Sequence, residues 1–232
     1  MKVALLSDIH GNAEAFKVAV QSAQQSKCEL FIISGDLVGY YYEIQSVLDL
    51  LFQLNFKFIR GNHEIMLKRL IEEPEISNDI SSKYGSALTR TISDLSVTDL
   101  NFLCEAPDNL TIEFEDYKVS VSHGSPWKFD EYIYPDSQMR IWNRFLSFNE
   151  EVFIVGNTHH QLLKRFHKKL IINPGSVGQS RTDTGMAQWA EFDTLTRDVT
   201  FKSVKYDSAP LLIKCLKFDP NLTLLRKSLE SW

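Results

Sequence analysis

"KVALLSDIHGN", residues 2–12, carries the reading on which the fold turns. Val3 to Leu6 is a short apolar run that stops at a polar turn, so Lys2 to Ser7 reads as a buried strand. Asn12 then opens an amphipathic helix whose apolar positions, Ala15, Phe16, Ala19, Val20 and Ala23, follow helical spacing. The unit recurs, with a strand at Leu30 to Ser34 before a helix at Tyr42 to Leu54, and a strand at Phe56 to Ile59 before a helix at Glu64 to Ile71. Three strand-helix units in succession imply parallel strands joined by right-handed crossovers, and ligands then gather beyond the carboxyl ends of the strands. The loops to inspect are therefore 7–12, 34–41 and 60–64.

Further along, two helical stretches are expected at Ile80 to Leu95 and Val97 to Ala106, closed by Pro107. From Leu110 the period changes to two, giving a hairpin-like pair at Leu110 to Glu115 and Tyr117 to Ser122. A helix at Asp136 to Leu146 precedes a strand at Glu151 to Val155, and strands follow at Leu162 to His167, Leu170 to Asn173, Met186 to Asp193 and Val199 to Tyr206, with a short helix after Pro210. With no repeat, low-complexity tract or linker, residues 1–232 read as one α/β domain of two facing sheets with helices outside.

The balance of 25 basic against 30 acidic residues, a formal charge of −5, gives no reason to expect binding to a nucleic-acid backbone. A small anionic substrate needs a local positive centre instead. Cys28, Cys104 and Cys215 have no paired spacing, which argues against a disulfide framework or a thiolate zinc site and for buried thiols in a reducing compartment. The apolar run after Met1 is too short for a signal-peptide core, and no run reaches membrane-spanning length, so a cytoplasmic protein without membrane association is expected. The oligomeric state is not legible.

Five loops after predicted strands carry "SDIHGN" (7–12), "SGDLVG" (34–39), "RGNHE" (60–64), "SHGSP" (122–126) and "GNTHH" (156–160). Oxygen and imidazole donors in such number suit divalent ions of the manganese, iron or zinc type. Asp8 and His10, one residue apart, can both face one ion from a tight loop. A lone D-x-H is weak evidence. The ordered set, each member just past a strand, is strong.

This set, together with "NPGSVGQ" (173–179), resembles the calcineurin-like metallophosphoesterases over Lys2 to about Arg181. Within them it is similar to the small bacterial phosphodiesterases that include dinucleoside-polyphosphate hydrolases. The resemblance implies a four-layer αββα sandwich of two facing mixed sheets flanked by helices. It implies a first divalent ion on Asp8, His10 and His159, with Asp36 bridging to a second on Asn62, His123 and the residue at 157. It also implies that His63 is catalytic and not a ligand. Two such ions, about 3.5–4 Å apart, activate a bridging water for in-line attack on phosphorus, and His63 would protonate the departing oxygen as general acid. Manganese is the first expectation, with iron, zinc, nickel or magnesium as alternatives. Arg60 matches the phosphate-binding arginine of the protein serine/threonine phosphatases and is a candidate for the positive centre.

Two positions depart from the family pattern. Residue 157, normally histidine, is asparagine, whose amide oxygen is a harder and weaker donor than imidazole, so the second ion is expected to bind more weakly and to favour manganese or magnesium over zinc. In "GYYYE" (39–43), Tyr40 and Tyr41 are candidates to wall a nucleobase pocket. Taken singly, Asp8 and Asp36 read as well as turn or cap residues, Asn12 better as a helix cap than as a substrate contact, and Arg60 as well as a partner for a surface acid. Arg181, after the "NPGSVGQ" loop, is a weaker candidate for touching substrate, His160 and Trp127 are candidates to line the mouth of the site or only to pack, and Ser176 has no base to make it a nucleophile. The function expected is hydrolysis of a small phosphorylated molecule, nucleotide-like in the finest reading. The rival is a binding scaffold that kept this fold and lost the chemistry.

Overall fold

Alternation along the strands builds the layers. In β1 (Lys2–Leu6), Val3 and Leu5 face one way and Ala4 and Leu6 the other, as period two demands. The same division holds in β2 (Leu30–Ile33), which follows α1 (Ala13–Gln25), and β3 (Phe56–Phe58) follows α2 (Ile44–Leu51). The computed structural model describes residues 1–114 and 116–229. After β3 come α3 (Asn62–Glu72), a 3₁₀ turn (Pro74–Ile76), α4 (Ser77–Tyr84), α5 (Ala87–Asp94) and α6 (Val97–Cys104). The hairpin β4 (Asn109–Phe114) and β5 (Tyr117–Ser122) leads to α7 (Met139–Phe145), β6 (Val152–Ile154), β7 (Gln161–Phe166) and β8 (Lys169–Pro174). The chain then runs through β9 (Met186–Asp193), β10 (Val199–Lys205), α8 (Ala209–Phe218) and α9 (Thr223–Lys227). Glu115, where the sequence suggests the first hairpin strand ends, lies outside the described residues.

One five-stranded sheet has the order β10-β9-β1-β2-β3 and the other β4-β5-β6-β8-β7. β1, β2 and β3 are parallel, as the strand-helix repeats imply, and so are β5, β6 and β8, while the outer pairs are antiparallel. Val3, Leu5 and Ile32 of one sheet meet Val121, Ile154 and Ile172 of the other in the central core. Phe16, Val20 and Leu48 cover the outer face of the first sheet, and Trp142 and Phe145 cover that of the second. This is the four-layer αββα sandwich.

The helix expected over Ile80 to Leu95 is two, α4 and α5, broken at Gly85, whose φ of 83° the helix cannot continue. The Asp219 carboxylate fixes the break by accepting from the Ser86 N–H at 3.0 Å and from its hydroxyl at 2.9 Å. α2 starts two residues later than expected because Tyr41 and Tyr42 are drawn toward the C-terminal segment, where their hydroxyls donate to the Leu225 carbonyl (3.0 Å) and to Asp219 (2.7 Å). The last helical turn, α9, has no counterpart in the sequence reading. No helix among the described residues is long and apolar enough to cross a membrane.

Candidate metal centre

The five polar loops meet at one edge. Loop 8–11 is zipped to loop 35–37, with Asp8 N–H donating to the Gly35 carbonyl (3.1 Å), Ile9 and His10 N–H to Asp36 (2.8 and 2.9 Å) and Gly11 N–H to Leu37 (2.7 Å). This pairing holds Asp8 and Asp36 in the left-handed region, at φ 54° and 56°, and His10, Asn157 and His159 lie there too, at 52°, 67° and 59°. Residues other than glycine rarely adopt such angles, and each costs about 1–3 kcal/mol that the surrounding structure must supply. The strain turns all five side chains into one buried space.

Three imidazoles define what that space can hold. His10 Nδ1 faces the Val38 carbonyl at 3.0 Å, His123 Nδ1 the Ser34 carbonyl at 2.7 Å and His159 Nδ1 the Gln179 carbonyl at 2.7 Å. A carbonyl only accepts, so each Nδ1 carries a proton and each Nε2 of a neutral ring presents a lone pair inward. His10 and His159 Nε2 are 3.2 Å apart, and His159 Nε2 is 3.2 Å from Asp8 Oδ1, a buried oxygen without a hydrogen-bond partner. His123 Nε2 lies 2.9 Å from Asn62 Oδ1 and 3.3 Å from Asp36 Oδ2, and the latter oxygen is also 3.8 Å from His10 Nε2. Lone pairs gathered this closely repel one another unless a cation stands among them, so the donor set fits divalent metal. Donor atoms of Asp8, His10 and His159 lie within 4.8 Å of one another, as do those of Asp8, Asp36 and His123, and of His10, Asp36 and His63. Asp36 stands between the His10 side and the His123 side of this space.

Without an ion, a proton on His123 supplies the positive charge that the buried carboxylates draw in. Burial opposes ionisation of Asp36, yet the His123 charge and then that of His63 hold its carboxyl far below the usual carboxylate range. Burial likewise works against charge on His123, but Asp36 overrides it and lifts the imidazole to about 10. His63 is pushed the other way: burial lowers its pKa, with Asp36 the main opposing influence. Its ring lies 4.9 Å from those of His10 and Tyr40, and its Nδ1 has no hydrogen-bond partner. Gly39 makes room for it, since a Cβ there would fall 2.1 Å from that nitrogen.

Two supports escape a reading of the sequence. Glu64, fully buried in the first turn of α3, accepts from the N–H groups of Asp36 (2.9 Å), Val38 (3.0 Å) and Gly61 (2.6 Å), while Asp36 Oδ1 accepts from His63 N–H (2.9 Å). Burial and the Asp36 charge raise Glu64 to about 7 against these donors, but three N–H groups facing one carboxyl suit its ionised form. The second support is "NPGSVGQ". Asn173 donates to the Gly156 carbonyl (2.9 Å), Ser176 Oγ donates to the Asp8 carbonyl (2.7 Å) and accepts from Gln179 N–H (2.8 Å), and the Gln179 carbonyl receives His159. Ser176 is thus a strut. The "E" of "RGNHE" was the one available signal for Glu64, but a turn-one glutamate reads equally well as an ordinary helix start.

The remaining predicted residues divide. Asn157 is buried at φ 67°, its N–H donates to Asp8 Oδ2 at 3.2 Å, and its Nδ2 has no partner. Tyr40 is buried edge-on against His10, with ring centroids 4.6 Å apart. Tyr41 is fully buried, with its hydroxyl on the Leu225 carbonyl, and is not carried forward as a wall. Asn12 is occupied as the cap of α1 (from Ala15 N–H, 3.1 Å) and as donor to the Gly178 carbonyl and the Tyr206 hydroxyl. Arg60 is drawn to Asp108 (2.6 Å) and the Cys104 carbonyl (2.7 Å). Neither is carried forward as a substrate contact, because both polar atoms of the Asn12 side chain and the Nε and Nη1 of Arg60 are employed in these contacts. Arg181 is exposed and, among the described residues, has no ion pair or hydrogen bond.

Comparison with known proteins places this geometry. An uncharacterized protein of Methanocaldococcus jannaschii is 29% identical over 231 residues, covering 93% of this chain and 92% of that one. The crystal structure of a hypothetical protein from Pyrococcus horikoshii OT3 superposes with a TM-score of 0.84 at 22% identity, over 99% of this chain and 98% of that one. A metallophosphoesterase from Sphaerobacter thermophilus superposes at 0.79 with 25% identity, over 99% and 100% of the two chains. Residues 1–195, which contain all five loops and the brace at 173–179, match the model of the calcineurin-like phosphoesterase superfamily domain, and the chain belongs to that superfamily.

Proposed function

We propose that the chain is a metal-dependent phosphoesterase that hydrolyses a small phosphorylated molecule, diester or monoester. The observation that carries this reading is the convergence of three imidazoles on two buried carboxylates, with the His10 and His159 Nε2 atoms 3.2 Å apart. The likeness to the Sphaerobacter metallophosphoesterase supports it. Asp8, His10 and His159 would hold one divalent ion, Asn62, His123 and Asn157 the other, and Asp36 would touch both. Such ions, when bound, make water a nucleophile near neutral pH and absorb charge on phosphoryl oxygens.

The chain's own residues orient and neutralise. Backbone carbonyls at Val38, Ser34 and Gln179 fix the tautomer and aim of the imidazoles. His63 gives a proton to the departing ester oxygen. Burial lowers its pKa, so it serves as an acid once an anionic phosphoryl group lies beside it and favours its charged form. Arg181, unpaired among the described residues, is the available cation for the substrate's outer charge. With a neutral amide at 157 in place of imidazole, the second ion binds more weakly than the first, and manganese is the preferred metal.

Hydrolysis of bis(p-nitrophenyl) phosphate with added manganese tests the reading. Activity should rise with the metal and fall by about 10²–10⁴ in His63→Ala, whereas Asn157→His should reach full activity at lower manganese. Asn157, with its partnerless amide nitrogen, is the observation that favours the second reading, a scaffold without catalysis. If the parent protein and both variants are equally inert, that reading stands.

A further inference from the structure

A chain of aromatic rings leads outward from the centre and has no part in the chemistry above. Next to His159, the ring of His160 meets that of Tyr134 edge-to-face at 5.5 Å, and Tyr134 lies parallel to Tyr132, with 8° between the planes and centroids 6.2 Å apart. Tyr132 is 53% exposed, the end of the series. On another side of the centre, Tyr84 meets both His63 (5.2 Å) and Tyr40 (5.9 Å). The break between α4 and α5 at Gly85 comes immediately after it.

The segment that carries Tyr132 is built. Ser125 Oγ and Trp127 Nε1 both donate to the Glu131 carboxylate. Tyr134 N–H donates to Ser137 Oγ at 2.9 Å, and the Ser137 carbonyl accepts from Trp142 Nε1 at 2.8 Å. Ile133, only 1% exposed, anchors the strap in the outer core beside Trp142 and Phe145. Two neighbours in sequence are thus treated oppositely: Ile133 is driven inward and Tyr132 outward. An exposed aromatic face on a fixed support is a low-entropy contact surface.

Charge is arranged around it as well. Arg181 is exposed and stands two residues after Gln179, whose carbonyl receives His159 Nδ1 at 2.7 Å, so it rises from the loop packed against the start of the series. Burial raises the Tyr132 hydroxyl, and the Arg181 guanidinium is the leading influence in the other direction.

We propose that Tyr132, backed by Tyr134 and His160, is a stacking subsite for the flat aromatic part of a phosphorylated substrate, and that Arg181 beside it neutralises a further anionic group of the same molecule. The substrate class is a phosphate ester carrying an aromatic base and more than one charge, of which a nucleotide is the common case. This rests on the phosphoesterase reading of the adjoining centre, to which the phosphorus must bind. Stacking on an aromatic side chain does not depend on which base is presented, so the subsite selects for flatness, while the charge selects for phosphates in series.

Equilibrium dialysis with manganese-loaded protein carrying His63→Ala, which slows turnover, tests it with adenosine 5′-monophosphate against ribose 5-phosphate. The two ligands share sugar and phosphate and differ by the base. The nucleotide should bind about tenfold more tightly. Adding Tyr132→Ala should erase that advantage and leave ribose 5-phosphate unchanged, whereas Tyr132→Phe should keep it. Adenosine 5′-diphosphate should exceed the monophosphate, and Arg181→Ala should remove the increment. Equal binding of the nucleotide and ribose 5-phosphate before any change at Tyr132, or an advantage that survives Tyr132→Ala, overturns the subsite. If Tyr132→Ala weakens both ligands alike, the advantage has survived and the subsite is overturned. Failure of both ligands to bind at all strikes the phosphoesterase reading itself, and so is distinguishable from failure of the subsite alone.

Discussion

Glu64 touches no predicted ligand atom, yet it governs where one of them sits. Its two oxygens take N–H groups from both sides of Asp36 and from Gly61, and Asp36 returns the contact by accepting from His63 N–H. The clasp is reciprocal: α3 holds the loop and the loop holds α3. Gly61 lies so close to Asp36 that a Cβ would fall 2.1 Å from Oδ1, so the loop cannot drift toward the helix to compensate for a lost bond. Glu64→Gln replaces one acceptor oxygen with an NH₂ that must face a backbone donor. Unsatisfied buried donors cost about 1–3 kcal/mol, and supports of this kind change metal affinity by about 10–100-fold. Manganese titration followed by electron paramagnetic resonance should show that weakening while the far-ultraviolet circular dichroism stays unchanged. An unaltered affinity would show that Asp36 holds its place without the clasp.

At the scale of elements, the segment 173–179 after β8 ties the sheets together at the site. Val177 and Gly178 N–H donate to the carbonyls of Ser7 and Asp8 (both 3.0 Å), across from one sheet to the other, and the Gln179 carbonyl aims His159. Removing Ser176 Oγ takes from the Asp8 carbonyl one of its two donors, leaving Gly178 N–H, and leaves the Gln179 N–H without its acceptor. Ser176→Ala should therefore raise the manganese concentration needed for half-maximal hydrolysis, with activity recovered at excess metal. Loss of a nucleophile could not be recovered in that way, so activity abolished at every manganese concentration would assign Ser176 the role denied to it here. The serine was quotable from the sequence, but its function as strut was not, because its partner Asp8 is 168 residues away. The same limit explains the other gaps. Apolar runs such as Val3–Leu6 and polar turns such as 7–12 are local, and with them the strands, the parallel run of the first three and the five loops were legible. The break at Gly85 depends on Asp219, the inward turn of Tyr41 on Leu225, and the employment of Arg60 on Asp108, and each partner lies far along the chain. Arg60 and Arg181 look alike as cations in sequence, and only their neighbours separate them.

Across the whole molecule, the C-terminal segment and the site loops belong to one packed body. Leu211, Cys215, Leu225 and Leu229 are buried in the same core as Phe16, Val47 and Leu67, and Lys214 pairs with Glu43 at 2.8 Å next to the start of α2. We propose that residues 1–232 unfold as one unit, so that a stabilising event at the centre is felt throughout. The centre is where such an event is available, because the His10 and His159 Nε2 atoms stand 3.2 Å apart beside an Asp8 oxygen that has no hydrogen-bond partner. A ligand that binds the folded chain alone stabilises it by about 2.7 kcal/mol at a hundred times its dissociation constant. For a chain of this size each kcal/mol moves the midpoint by about 2–4 °C. Manganese at that excess should therefore raise Tm by roughly 5–10 °C in a single transition, and a chelator should reverse the shift. The weaker second ion should appear as a further rise at higher manganese, larger at moderate concentrations in Asn157→His. Calorimetry that finds no shift with saturating manganese would mean that the lone pairs are relieved by protons instead, and the metal reading of the centre would fall with it.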